Sequence, residues 1–93
     1  MKWFKKVLDK IKLTKQVEKE WKEILRKALL HKTRGQHYLI PAKEIVGNFP
    51  REEALEYLRI RELVTAVVSF DLHVRIILTD DGVKEALKLV GGK

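Results

Sequence analysis

The last third of the chain constrains the fold most. Two segments rich in β-branched residues, Val64–Ser69 and Val74–Leu78, flank a short turn, and this pattern predicts an antiparallel β-hairpin. Thr79 follows directly, where its hydroxyl can cap the free N–H groups at the start of a helix, while Asp80 and Asp81 favour the positive end of the helix dipole. The sequence therefore predicts a hairpin that leads without a linker into a helix.

The upstream sequence predicts further helices. Pro41 and Pro50 each suit the first turn of a helix, because the missing N–H would be unpaired there anyway, and Gly35 suits a left-handed residue just after a helix end. The predicted elements are helices at Met1–Leu13, Lys15 to about His31, Pro41–Val46, Pro50 to about Leu63 and Asp80–Val90, with an extended segment at His37–Ile40. The first two helices could also form one long helix, because their apolar stripes are offset but overlap.

The segment IPAKEIVGNFPREEALEYLRIRELV, followed by the hairpin and the LT-x-x-G helix start, resembles the helix-turn-helix and wing of small archaeal winged helix-turn-helix DNA-binding proteins. The resemblance covers about Val17–Val90. It implies an α+β, mainly α, fold with a C-terminal β-hairpin wing and an extra N-terminal amphipathic helix. It divides the chain into a basic helix at 1–14 and a winged helix-turn-helix domain at 15–93, with a helix-turn-helix core of Ile45, Phe49, Leu55 and Leu58.

Winged helices that read DNA place the second helix of the turn in the major groove and the wing on the flanking backbone. The resemblance thus implies a transcription regulator that binds double-stranded DNA. The implied contacts are Arg51 and Arg59 on the recognition helix, Lys43 on the preceding helix, and His73 and Arg75 on the wing.

Three carboxylates disagree with that pattern. Glu52, Glu53 and Glu56 lie on the predicted recognition helix, where phosphate-facing surfaces usually carry Lys, Arg, Ser or Asn. The alternative is that this helix presents a solvated face, and that the protein is a winged-helix interaction module whose basic N-terminal helix docks on a protein partner or an anionic membrane.

The charge is unevenly distributed along the chain. Residues 1–37 hold twelve Lys and Arg against four acids, a net charge of +8, whereas residues 38–93 hold eight against nine, a net charge of −1. An anionic partner is therefore steered first to the N-terminal end.

The same end carries an apolar stripe at helical spacing, made of Trp3, Phe4, Val7, Leu8 and Ile11. Such a stripe can pack on the domain as added core, form the seam of a homodimer, or lie on a membrane surface. We expect a homodimer, since winged-helix regulators often pair through terminal helices.

The composition argues against several other classes. The chain has no Cys, and His31, His37 and His73 lack the spacing of zinc ligands. Ser69 is the only serine and lies in a predicted strand without a nucleophile elbow. We therefore expect no enzyme, no metal and no cofactor. The apolar run Leu63–Val68 is too short to span a membrane, and we expect a cytoplasmic protein without a signal peptide. Abundant Lys, Glu and Arg with a single Asn indicate a thermophilic source.

Overall fold

One continuous helix, α1 (Lys2–Thr33), opens the structure, a computed structural model that describes the backbone of residues 2–91 and the side chains of residues 14–91. Ion pairs one helical turn apart support α1, including Lys22 Nζ to Glu18 Oε2 at 3.6 Å and Lys27 Nζ to Glu23 Oε1 at 3.7 Å. Of the two expected arrangements, the single long helix is therefore the one observed. Gly35 follows at φ 69°, as predicted for the residue after the helix end.

Three strands form one antiparallel sheet. They are β1 (Tyr38–Pro41), β2 (Val64–Val68) and β3 (His73–Leu78), and their order in the sheet is β1-β3-β2. Strands β2 and β3 are the predicted hairpin, with Val64 opposite Leu78. Alternate β3 residues, Val74, Ile76 and Leu78, are buried, so one face of the sheet packs on the helices and the other faces outward.

The predicted helix at Pro41–Val46 is reduced to a 3₁₀ turn at Ala42–Glu44. Pro41 has extended dihedral angles, φ −56° and ψ 132°, and pairs with His73 as the last residue of β1. The Ala42 N–H then donates to the Leu72 carbonyl at 2.8 Å. Pro41 belongs to β1, and Ala42 is hydrogen-bonded to the hairpin. Helical structure here is therefore limited to the three residues Ala42–Glu44.

The next helix, α2 (Phe49–Ile60), begins where expected and ends three residues earlier than predicted. The Asn48 side chain caps it by accepting from the Arg51 N–H at 3.2 Å. Glu62 adopts a left-handed conformation with φ 58°, which turns the chain into β2 and stops the helix.

The last helix, α3 (Asp80–Gly91), begins as predicted. The Thr79 hydroxyl accepts from the Gly82 N–H at 3.0 Å and donates to the Glu62 carbonyl at 2.7 Å. Thr79 is thus the helix cap expected from the sequence, and it also ties the start of α3 to the end of α2.

All three helices and the sheet contribute to one core. Its buried members are Ile24, Leu25, Ala28, Leu29, Ile40, Ile45, Ala54, Leu58, Leu63, Val64, Val74, Ile76, Leu78 and Ala86. Ile45 and Leu58 are buried as predicted and Leu55 is partly buried, but the prediction for Phe49 is wrong, since its side chain is 67% exposed. At 100° per residue Phe49 lies roughly opposite Leu58 on α2, so a helix that buries Leu58 turns Phe49 outward.

Over residues 2–91 the fold is α+β, with three helices and a three-stranded antiparallel sheet. The element order and the sheet order are compatible with a winged-helix fold, in which α2 is the second helix of the turn and β2–β3 is the wing. Within the described part of the chain, no helix is both long and apolar enough to cross a membrane.

Candidate nucleic-acid interface

Lys43 and His73, two of the predicted DNA contacts, lie together beside the turn of the wing. A groove of about 360 Å³ separates the 3₁₀ turn from the hairpin, and its lining residues are Pro41, Ala42, Lys43, Asp71, Leu72 and His73. Strand pairing between Pro41 and His73 brings the Lys43 and His73 side chains to one place, although they are 30 positions apart in the chain.

Arg75 belongs to the same region. It lies two residues after His73 on β3, and therefore on the same outward face of the sheet. Its cross-strand neighbours are Leu39 on β1 and Val67 on β2. The Arg75 Nε atom is buried and has no hydrogen-bond partner. We call Lys43, His73 and Arg75 the wing-side group.

An acid lies beside this group at the tip of the wing. The Ser69 hydroxyl is within hydrogen-bond reach of the Asp71 carboxylate and of the His73 carbonyl, and Asp71 Oδ2 is 3.4 Å from His73 Nδ1. The hydrogen bond from Ser69, helped by the charge of His73, lowers the pKa of Asp71. The carboxylate is therefore ionised at neutral pH and offsets part of the positive charge of the wing.

Arg51 has an internal role that its position in the sequence did not indicate. Its Nε donates to Glu20 Oε1 on α1 at 3.1 Å, and its Nη1 to Glu44 Oε1 in the 3₁₀ turn at 3.5 Å. The side chain is partly buried between these elements. Because two carboxylates already engage the guanidinium, we leave Arg51 out of the proposed DNA contacts. Glu20 is 31 residues away, so no local pattern could have revealed this pair.

Arg59 is exposed, but it lies at the opposite end of α2 from Arg51 and is itself paired. Its Nη1 atom is 3.0 Å from Glu56 Oε1. It also borders a wide groove of about 800 Å³ between α2, β2 and α3, whose lining includes Lys84 and three acidic residues, Glu62, Asp80 and Asp81. The structure therefore places Arg59 in an acidic environment, apart from the wing-side group.

The outward face of α2 is neither basic nor purely polar. Four residues, which we call the α2 stripe, fall within about 60° of one another at 100° per residue: Phe49, Glu53, Glu56 and Ile60. Every one of them is exposed, and they lie opposite the fully buried Ala54 and Leu58. The stripe has an apolar residue at each end and two carboxylates between them.

The glutamates were visible in the sequence, but the stripe was not, because the pattern placed Phe49 in the core. Ile60 is 72% exposed in the structure, whereas the neighbouring Tyr57 packs against Trp21 with ring centroids 5.0 Å apart and Val64 is buried in β2. A helical wheel of α2 with Ala54 and Leu58 on the buried side would have shown the stripe on the opposite side.

The predicted interface side chains of Trp3, Phe4, Val7, Leu8 and Ile11 lie outside the described side chains, although their backbone belongs to α1. Among residues 14–91, no three His, Asp or Glu side chains gather into a potential metal site.

These features define a small α+β protein that is compatible with the winged-helix fold, with a basic group beside the turn of the hairpin and an acidic, partly apolar α2. No protein family, no characterised protein and no solved structure matches the chain.

Proposed function

We propose that this protein binds double-stranded DNA, and that the wing side rather than α2 makes the main contacts. The observation that supports the proposal is the wing-side group: three predicted contacts, Lys43, His73 and Arg75, lie near the turn end of one hairpin. In DNA-bound winged helices the wing lies against the sugar–phosphate backbone, where the charges of Lys43 and Arg75 would neutralise phosphates.

The proposed mode of binding has little sequence specificity. Phosphate contacts position a protein on DNA, whereas base contacts specify the sequence. On α2 the stripe presents Glu53 and Glu56 outward, and Arg59 is paired with Glu56. Glutamate can accept from cytosine N4, but adjacent carboxylates are repelled by the phosphates that border the groove. A role in transcription, in the cytoplasm, would then depend on occupancy of DNA more than on recognition of an operator.

Titration of a labelled duplex, followed by fluorescence anisotropy at several salt concentrations, tests this proposal. Binding should weaken steeply with salt because counterions are released, with a logarithmic slope of about −0.9 for each phosphate engaged. Replacing both Lys43 and Arg75 by Ala should weaken binding to unrelated duplexes alike and reduce the slope by about 2.

The matched control for this titration is Lys88→Ala, an exposed lysine on α3 that is paired with Glu85. It should leave both affinity and slope nearly unchanged. The proposal fails if the unmodified protein does not bind duplex at micromolar concentration in low salt, or if Lys43→Ala/Arg75→Ala binds as well as the unmodified protein.

A second candidate is an interaction module whose N-terminal helix docks on a protein partner or an anionic membrane. The exposed apolar tip of the wing supports it, since Phe70 and Leu72 are both exposed there and an apolar tip does not favour phosphate. Sedimentation with anionic vesicles tests the membrane version of this candidate. Trp3→Lys/Leu8→Lys should abolish co-sedimentation, and retained binding would exclude a role for the N-terminal apolar stripe.

A further inference from the structure

The α2 stripe is a helix face with no partner in the chain as described. Phe49 and Ile60 are 67% and 72% exposed, and Glu53 and Glu56 lie between them. Large apolar side chains in this position indicate a contact surface. Glu53, together with Glu56, which also pairs with Arg59, favours a basic partner. A suitable partner is therefore an amphipathic helix with large apolar residues and flanking cations.

The chain itself contains such a segment. Residues 2–13 hold five lysines against one aspartate, together with the apolar stripe that begins at Trp3 and ends at Ile11. This segment has twelve residues, as α2 has, so both helices are about 18 Å long. The charge of one is opposite to that of the other.

We propose that residues 2–13 of a second copy dock on the α2 stripe, and that the reciprocal contact forms a two-fold symmetric dimer. This proposal goes beyond the proposed DNA binding and does not depend on it. It also differs from a seam in which the two N-terminal stripes pack on each other, because each N-terminal helix contacts the partner's α2 instead.

The continuity of α1 explains why the contact is between copies. The inner face of α2 packs on the middle of its own α1, where Arg51 binds Glu20 and Tyr57 packs against Trp21. The α2 stripe lies on the opposite side of α2. Since α1 has no break between residues 2 and 33, its N-terminal part cannot fold back over that face.

The same continuity permits a reciprocal arrangement. Residues 8 and 21 of α1 are about 20 Å apart along the helix axis, which is room for two α2 helices side by side at 8–10 Å spacing. Each α2 would then lie between its own α1 and the N-terminal part of the partner's α1. In such a dimer the outer face of α2 is covered and is not available to the major groove.

Light scattering coupled to size-exclusion chromatography provides the first test. The unmodified protein should have twice the chain mass of 10.9 kDa, and both Phe49→Lys and Glu53→Lys/Glu56→Lys should be monomeric. The matched control is Val68→Lys, because Val68 is 66% exposed, close to the value for Phe49, but lies on the hairpin. It should remain dimeric. Far-UV circular dichroism establishes that each variant is folded, as expected for exposed positions.

Mixing two monomeric variants provides the decisive test. Glu53→Lys/Glu56→Lys retains an intact N-terminal segment, and Trp3→Lys/Leu8→Lys retains an intact α2 stripe. Mixed together, they can form one complete contact, so the mixture should contain heterodimer although neither variant dimerises alone.

Three results would overturn the proposal: a monomeric unmodified protein at micromolar concentration, a dimer that survives both Phe49→Lys and Glu53→Lys/Glu56→Lys, or a mixture that stays monomeric. Survival of both variants would indicate that the N-terminal stripes pack on each other. Failure of the dimer proposal can be distinguished from failure of DNA binding, because Lys43→Ala/Arg75→Ala should weaken binding to duplex and leave the dimer intact.

Discussion

Leu72 adopts a backbone conformation that suits glycine better than leucine. The Leu72 N–H donates to the Ser69 carbonyl at 3.1 Å, and Leu72 itself has φ 61°. This is the hairpin in which a turn is followed by a left-handed residue, a position that glycine usually occupies.

Replacing Leu72 by Gly should therefore stabilise the protein, by about 0.5–1 kcal/mol, since the strain relieved exceeds the backbone entropy that glycine adds. Chemical denaturation measures the change in the free energy of unfolding. Leu72→Ala is the control, because it removes the same side chain but keeps the penalty for positive φ, and it should have little effect. Equal stabilisation by both variants would show that side-chain exposure, not backbone strain, is the cause.

Tyr38 provides a test of burial through its ionisation. It is partly buried, stacks on His31 with ring centroids 5.0 Å apart, and has its pKa raised above the ordinary 10.0 by desolvation, against a smaller opposing effect of the Arg51 charge. The folded chain thus retains a proton that the unfolded chain releases. The free energy of unfolding should therefore be unaffected by Tyr38 below pH 10.0 and decrease as the pH rises towards the pKa of the folded state.

Absorbance of the phenolate in a Tyr57→Phe variant isolates Tyr38, because the chain has two tyrosines. We expect its midpoint above 10.0. Tyr38→Phe should remove this contribution to the alkaline loss of stability, measured as a difference from the unmodified protein. A midpoint at or below the ordinary value would contradict the burial of this ring.

At the scale of elements, the junction between α2, β2 and α3 depends on the closeness of two backbones. A Cβ atom at Gly82 would lie 1.9 Å from the Leu63 carbonyl oxygen. That oxygen accepts from the Thr79 N–H at 3.1 Å, so neither side can move without breaking the start of α3. Glycine is required here by close approach, not by positive φ.

Gly82→Ala should consequently destabilise the protein by about 3 kcal/mol, since a buried backbone clash must be relieved by moving a helix. Thermal unfolding measures the loss. Gly91→Ala, in the same helix, is the control, because a Cβ atom there meets nothing within 4 Å, and it should be neutral or slightly stabilising. Similar effects of the two substitutions would show that α3 does not approach Leu63 this closely.

At the scale of the whole molecule, the positive charge is concentrated away from the wing. Residues 14–91 carry fourteen Lys and Arg against twelve acids, whereas residues 1–13 carry five lysines against one aspartate. Since α1 is about 48 Å long and the longest dimension of the molecule is 51 Å, the helix runs the full length of the protein. The chain is thus electrically asymmetric, which favours association of its basic end with an anionic surface.

The elements that sequence predicted well are those determined by neighbours within a few residues. The hairpin at β2–β3, the Thr79 cap of α3 and the left-handed Gly35 each depend on local dihedral preferences or on hydrogen bonds that span three or four residues. Such interactions can be inferred from residue types and spacing alone.

The site depended on contacts between distant parts of the chain. Strand pairing brought Lys43 close to His73, and the carboxylates of Glu20 and Glu44 engaged Arg51, which local sequence had left free for DNA. Because the opposite face of α2 packs on α1, Phe49 and Ile60 face outward together with Glu53 and Glu56. The sequence by itself determined most of the helices and strands, because those depend on short-range geometry, but pairing with the distant hairpin reduced the helix predicted at Pro41–Val46 to a 3₁₀ turn. Only the tertiary structure decided which side chains remain available, because burial and ion pairing depend on what packs against each face.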